Sequence, residues 1–99
     1  MDLQTNQVYT FKLNSGEELV AKVLGCSPNQ VEVEEPVSIA PGPQGVGLIP
    51  SLFTADTKGK IMLNTNCIAI YGITDESVKT KYIEATTGIT VPSKKLVLG

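Results

Sequence analysis

From Val8 the chain alternates. Tyr9, Phe11 and Leu13 interleave with Val8, Thr10 and Lys12; Leu19, Ala21 and Val23 interleave with Val20 and Lys22; Val31 and Val33 interleave with Glu32 and Glu34. A period of two marks half-buried strands, so Val8–Ile39 reads as three consecutive strands with Val23 and Val33 pointing into a core. Facing the apolar sides of the first two sets Leu13 opposite Leu19, with Asn14-Ser15-Gly16 supplying turn residues that tolerate positive φ. Gly25-Cys26-Ser27-Pro28-Asn29 breaks the pattern, Pro28 and Asn29 making a turn. The next pairing places Lys22 opposite Glu32 or Glu34, an outward ion pair in either register. Pro36 cannot donate to a ladder, so a bend or an edge is expected there.

Beyond Ile39 the pattern changes twice. Ala40–Gly47 is rich in glycine and proline and reads as a loop, and Leu48–Phe53 as an apolar strand or edge segment. Ala55–Gly59 is a polar turn. Lys60–Leu63 and Cys67–Tyr71 then flank the turn Asn64-Thr65-Asn66; strands this continuously apolar are buried on both faces or meet another subunit. From Thr74 the period becomes helical: Thr74 caps, Asp75 and Glu76 suit the first turn, Ile73 and Val78 form a hydrophobic staple, and Gly88 closes a helix over 75–86. Val78, Tyr82 and Ala85 share its packing face. The tail after Gly88 alternates weakly around Pro92 and reads as an edge strand or a loose end, and the polar lead-in before Val8 reads as loose.

Composition narrows the chemistry. With 99 residues, 41% of them hydrophobic, the chain is expected to form one domain around one core. No run approaches the ~18 apolar residues of a membrane span, and the alternating N-terminal stretch is no signal peptide, so a soluble, cytoplasmic protein is expected. All eight basic residues are lysines, and histidine and tryptophan are absent. Up to Gly59 three lysines face seven acids, and from Lys60 five lysines face three acids. Neither half concentrates basic charge as nucleic-acid sites usually do, and the bidentate phosphate ligand arginine is missing. No nucleophile with its base and no paired carboxylates in a cleft are legible, so the chain is not read as an enzyme. The glycines of 42–47 match no phosphate-binding fingerprint. Glu32, Glu34 and Glu35 on one strand read as a solvated face rather than a metal site, no cofactor is expected, and Cys26 and Cys67 read as buried small hydrophobes.

The succession of a strand, an Asn-Ser-Gly-Glu turn, the strand Leu19-Val20-Ala21-Lys22-Val23, a short turn and an alternating third strand resembles the first conserved block of Sm-like proteins. Ile61–Ile70, IMLNTNCIAI, resembles the second. The resemblance covers Val8–Tyr71 and is closest to small Sm-like proteins of bacteriophages, which also add a helix after the barrel. It implies a mostly β fold, a small, strongly bent five-stranded SH3-like barrel with a C-terminal helix. It also implies a homo-oligomeric ring in which the fourth strand of one subunit pairs with the fifth of the next. The family's usual N-terminal helix has no counterpart before Val8. Its first RNA-contact loop aligns with Ser27-Pro28-Asn29-Gln30, and its second, usually Arg-Gly-Asn, with Leu63-Asn64-Thr65.

The resulting expectation is a lead-in over 1–7, a barrel over 8–71, a helix over 72–88 and a tail over 89–99. The implied function is a ring-forming module that binds single-stranded RNA weakly through Asn29, Gln30, Asn64 and Asn66. The alternative is a homo-oligomeric protein-interaction or structural module with no nucleic-acid role. For each amide the plain reading is a turn residue chosen for its backbone. Leu48, Ile49, Leu52, Phe53, Ile61, Ile68 and Ile70 are the expected subunit contact, being too apolar for exposed edges.

Overall fold

A computed structural model describes residues 2–43 and 45–87. The alternating stretches become β1 (Val8–Leu13), β2 (Glu18–Cys26), β3 (Gln30–Gly42), β4 (Gly45–Pro50), β5 (Ile61–Asn64) and β6 (Ile68–Ile73), followed by α1 (Glu76–Thr87). The strands pair antiparallel in one sheet of order β4-β3-β2-β1-β6, and β5 also pairs with β3. The fold is therefore mostly β with a C-terminal helix. The sheet is curled but not closed: no ladder among the described residues joins β6 to β4 or β5.

Six strands stand where five were expected because one strand position is split. Both β4 and β5 lie along the outer edge of β3, β5 against Gln30–Val33 and β4 against Val37–Gly42. The split falls at a bulge. Val20 pairs with Val37 and Lys22 with Glu34, so Glu35 and Pro36 together oppose Ala21. Glu35 takes φ 52°, a left-handed conformation costly for a side-chain-bearing residue. Pro36 thus bends β3 without ending it. At the bend the chain outside β3 leaves the ladder as the segment 51–60, which is rooted where it departs. Ser51 N–H donates to Pro36 O (3.1 Å), Glu35 N–H donates to Thr57 O (2.8 Å), and Lys58 Nζ lies 3.3 Å from Glu35 Oε2.

Chain connectivity dictates the curl. β5 sits outside β3 and β6 outside β1, a flat separation of four strand spacings, or ~19 Å. The 3-10 turn Thr65–Cys67 that joins them has three residues, so Asn64 and Ile68 can stand at most ~14 Å apart. The two edges must therefore approach at this end, and they do: Asn14 N–H donates to Cys67 O across 2.8 Å.

Curling gives each face its own cluster. Inside the curl Tyr9, Phe11, Leu19, Ala21, Val23, Val31 and Val33 are buried, with Leu3, Leu13, Ile61, Leu63 and Ile68 against them. On the other face Val8, Val20 and Val37 meet Tyr82 of α1, with Ile39, Leu48 and Val78 around them. Two small clusters replace the expected single core. The helix is capped by Asp75, not Thr74: its carboxylate accepts from Ser77 Oγ (2.6 Å), Ser77 N–H (3.1 Å) and Val78 N–H (3.4 Å). Those bonds, that from the Ser77 hydroxyl foremost, hold its pKa below the usual carboxylate value. Thr74 is buried instead, its hydroxyl 3.0 Å from that of Thr10.

Tyr82 is the anchor of the helix. Its hydroxyl accepts from Lys22 N–H (3.0 Å) and donates to Glu34 O (3.0 Å), entering the β2–β3 ladder beside the bulge. Burial pushes its pKa well above the ordinary 10.0, against the lowering effect of the Lys22 N–H, with Glu35 and Glu34 adding to the rise.

Several expectations are corrected. The glycine- and proline-rich stretch 40–47 is a hairpin, pairing Ala40 with Gly47 and Gly42 with Gly45, because Gly45 supplies φ 108° after the turn. Phe11, not Leu13, faces Leu19; a shift of two residues leaves every side chain on its expected face. Lys22 faces Glu34, as one of the two registers required. Ala85 is exposed, and α1 turns Val78, Lys79, Tyr82 and Thr86 inward instead. Ile73 is 65% exposed, not clasped in a staple. Cys26 and Cys67 are both exposed, since Cys26 ends β2 beside a turn and Cys67 lies in the 3-10 turn before β6. The lead-in is tied rather than loose: Asn6 N–H donates to Val23 O (2.6 Å) and Gln4 N–H to Tyr9 Oη (3.0 Å). Gly88 and the tail lie outside the described residues.

Val23→Ala or Val33→Ala, at 0% and 1% exposure, is expected to lower unfolding free energy by about 1–3 kcal/mol in urea titrations followed by circular dichroism. Tyr82→Phe leaves the Lys22 N–H and Glu34 C=O without their shared partner and should cost about 1–3 kcal/mol at neutral pH. Because the folded-state pKa of Tyr82 is raised, its stabilisation is complete below the unfolded value near 10.0 and is lost as pH rises above it. Between about pH 9 and about pH 11 the wild-type urea midpoint should therefore fall more steeply than that of Tyr82→Phe; parallel slopes would mean that the hydroxyl is not held in the ladder.

Candidate functional site

Three turns converge at the end of the sheet where the 3-10 link forces the edges together. The β1–β2 turn contributes Asn14, the β2–β3 turn Pro28 and Asn29, and the β5–β6 turn Asn64–Cys67. Their contacts are specific: Asn14 Nδ2 donates to Asn66 O (2.8 Å), Thr65 N–H to Asn29 O (3.0 Å), and Thr65 Oγ1 to Pro28 O (3.2 Å). Gln30 and Asn64 face each other across β3 and β5. The four amide residues picked from the sequence, Asn29, Gln30, Asn64 and Asn66, are thus brought to one end, and all are exposed.

What these residues do within the chain is largely structural. Asn64 caps the 3-10 turn, its Oδ1 accepting from Asn66 N–H at 2.9 Å. Asn29 and Asn66 accept through backbone carbonyls, and Gln30 O accepts from Ser27 N–H (2.9 Å) and Ser27 Oγ (3.3 Å). The side-chain amides of Asn29, Gln30 and Asn66 stand at the surface beside this framework, and the turns themselves, 14–16, 27–30 and 63–67, contain no charged residue. Such a surface can offer neutral donors and acceptors to base edges, but it supplies no cation for phosphate. Asn14 was not among the sequence candidates, although its place in a turn beside a glycine is a local signal; that it braces the opposite turn is not.

The acidic strand residues are neutralised singly. Glu32 Oε2 lies 3.3 Å from Lys60 Nζ, Glu34 Oε2 3.8 Å from Lys22 Nζ, and Glu35 Oε2 3.3 Å from Lys58 Nζ. Among the described residues no cluster of three or more His, Cys, Asp or Glu side chains is placed to hold a metal ion. A shallow cleft between α1 and the bulge is lined by Asn6, Lys22, Glu34, Lys79 and Thr86, on the helix side of the sheet.

A second feature is the apolar perimeter. Of the residues expected at a subunit contact, Ile49 (47%), Leu52 (41%), Phe53 (81%) and Ile70 (66%) are exposed, whereas Leu48, Ile61 and Ile68 are half-buried against the protomer's own clusters. Val46, Met62, Tyr71 and Ile73 join the exposed set; single alternating residues near turns give little warning of this, since their exposure depends on where the sheet stops. The cross-strand rows show the cause. Ile49, Ser38, Leu19, Phe11 and Tyr71 lie in one row, buried in the middle and exposed at both ends. No helix among the described residues is long and apolar enough to cross a membrane.

Asn64→Ala removes the side-chain cap of the 3-10 turn and is expected to lower stability by about 0.5–2 kcal/mol, read as a shift of the urea midpoint. Asn66→Ala, which keeps that cap in place, should leave the midpoint within about 0.5 kcal/mol of wild type.

Compared with known proteins, the sequence matches no protein-family model and no curated protein.

Proposed function

We propose that this chain is the protomer of a closed homo-oligomer, a ring of the Sm-like kind, in which the free outer edges of β4 and β5 meet β6 of the next copy. The observation that carries this reading is the open sheet with uncharged edges. Residues 36–55 and 61–74 contain no Asp, Glu or Lys, and they include all of β4, β5 and β6. Unpaired strand edges are normally protected by charge, proline or cover. Here Pro50 ends β4, but Ile70, Ile73, Ile49 and Met62 stand exposed along the edges. Pairing edge to edge satisfies the outer backbone groups and continues the apolar rows into a neighbour. Because two different edges meet, the contact is head-to-tail, and a rotation that closes gives a ring rather than a filament.

In this ring the amide end of each protomer recurs around the axis, and its role is weak contact with single-stranded RNA. Repetition raises avidity without new contacts, while the absence of cations and aromatic planes at the turns keeps each contact weak and salt-sensitive. One observation favours a ring for protein interaction instead: Asn64, the residue aligned with the family's base-contact loop, spends its side-chain oxygen on its own turn.

Light scattering coupled to size exclusion should give a multiple of 10.5 kDa across micromolar concentrations, and Ile70→Lys should reduce it to one protomer with an unchanged circular dichroism spectrum. A wild-type mass of one protomer would overturn the ring. Fluorescence anisotropy with oligo-U and oligo-A should show binding at low salt that is lost by about 200 mM and weakened by Asn66→Ala; no binding at low salt would leave the protein-interaction ring as the reading.

A further inference from the structure

Phe53 is 81% exposed, more than any other large hydrophobic side chain among the described residues. It does not hang on a free strand. The segment that carries it is fastened on both sides of the β3 bulge, through Ser51 N–H to Pro36 O, Glu35 N–H to Thr57 O and Lys58 to Glu35, and is tightened by Gly59 N–H to Asp56 O (3.1 Å) and Lys58 N–H to Asp56 Oδ1 (3.2 Å). The anchors lie at Ser51 and at Asp56–Gly59, so Phe53 stands on a short span tied at both ends, and such restraint removes part of the ordering cost of an association.

The register shows what such a residue can meet. Pro50, Val37, Val20, Thr10 and Gly72 share one row across the sheet. Ser51 and Ile73, the next residues along, therefore stand level with each other at opposite edges, and Ile73 is 65% exposed. Tyr71, 42% exposed, is level with Ile49. If β4 of one copy and β6 of the next pair in parallel with these rows in register, the root of the Phe53 segment of one comes beside Ile73 of the next.

We propose that the segment 51–60 is an intersubunit clasp, in which Phe53 of one copy seats against Ile73 and Tyr71 of the neighbouring copy. The inference rests on the ring reading and adds to it a contact outside the strand ladder. A second copy of this chain is the occupant for two reasons on the surface itself. The apolar residues form two different patches at opposite edges, each with a counterpart on the same molecule, as a head-to-tail contact requires. Both patches also lack charge, through Pro36–Ala55 and Ile61–Asn64 on one side and Ile68–Thr74 on the other, as the core of a stable protein interface does; an acidic or basic partner would find no ion to pair with. The hairpin of β3 and β4 beyond Ser38 strengthens the case, because β2 pairing ends at Leu19 opposite Ser38 and leaves Ile39–Gly42 paired with β4 alone. A two-stranded ribbon is marginal by itself, and a clasp at its base steadies it against a neighbour.

The chain contains no tryptophan, so Phe53→Trp places one reporter in the clasp. In the assembled protein its emission should be blue-shifted and shielded from acrylamide, and it should move to the emission of a water-exposed indole on dilution into protomers. Adding Ile73→Lys should expose the indole and weaken assembly at least tenfold, with the circular dichroism spectrum unchanged. Phe53→Ala in an otherwise wild-type chain should also weaken assembly at least tenfold. An assembled Phe53→Trp protein whose indole is fully exposed, or an assembly indifferent to Phe53→Ala, overturns the clasp and leaves the ring standing. A wild-type protein that remains a single protomer by light scattering overturns both.

Discussion

One hydroxyl holds the architecture at its point of greatest irregularity. β3 carries an extra residue where Glu35 and Pro36 oppose Ala21, and proline removes a donor there as well. Tyr82 enters beside this defect and bonds both Lys22 N–H and Glu34 C=O, so the helix that covers one face also repairs the ladder. The bend of β3, the split of its outer edge between β5 and β4, the departure of the 51–60 segment and the position of α1 all meet within a few residues. Removing the hydroxyl would strand polar backbone groups at a place where water has limited access, which costs more than a hydrogen bond typically contributes.

The bend also accounts for which apolar side chains the open sheet leaves exposed. A small sheet that curls can bury the middle of each row against itself, and Phe11, Ala21, Val23 and Val31 are fully buried for this reason. The ends of the same rows have no opposing side chains while the sheet stays open. Tyr71 and Ile49 are thus exposed members of the inner face rather than outward residues of a polar surface, and the edges that display them carry no charge to discourage pairing. In the assembly proposed above, self-association would satisfy backbone edges and apolar row ends in one contact.

The amide end illustrates how turn chemistry and recognition compete for the same residues. Asparagine is selected in tight turns because its side chain mimics a backbone acceptor, and Asn64 is used that way. The same convergence leaves Asn29, Gln30 and Asn66 exposed beside a rigid framework, a geometry suited to reading base edges though poor in charge. In the proposed ring, recognition at this end would depend on repetition around the assembly more than on the strength of any one contact.

Much of this was legible in the residues. The period of two marked β1, β2 and the first half of β3, and it placed Val23 and Val33 in the core, because alternation records which side of a pleat faces away from water. The change of period after Thr74 announced α1, and the asparagines announced the β5–β6 turn. The hairpin at 40–47 was hidden because glycine and proline carry no apolar signature, and its strands are recognised only through the partners that β3 offers. Asp75 displaced Thr74 as the cap because Thr74 found a buried partner in Thr10, sixty-four residues away in sequence. Local pattern by itself determined that β1, β2, the first half of β3, β5 and β6 are strands, that the segment after Thr74 is helical, and which side of β1, β2 and the first half of β3 faces inward. Tertiary structure alone decided the bulge, the role of Tyr82, the exposure of both cysteines and the open edges, because each depends on contacts between residues far apart in the chain, and periodicity records only a residue's own exposure to water.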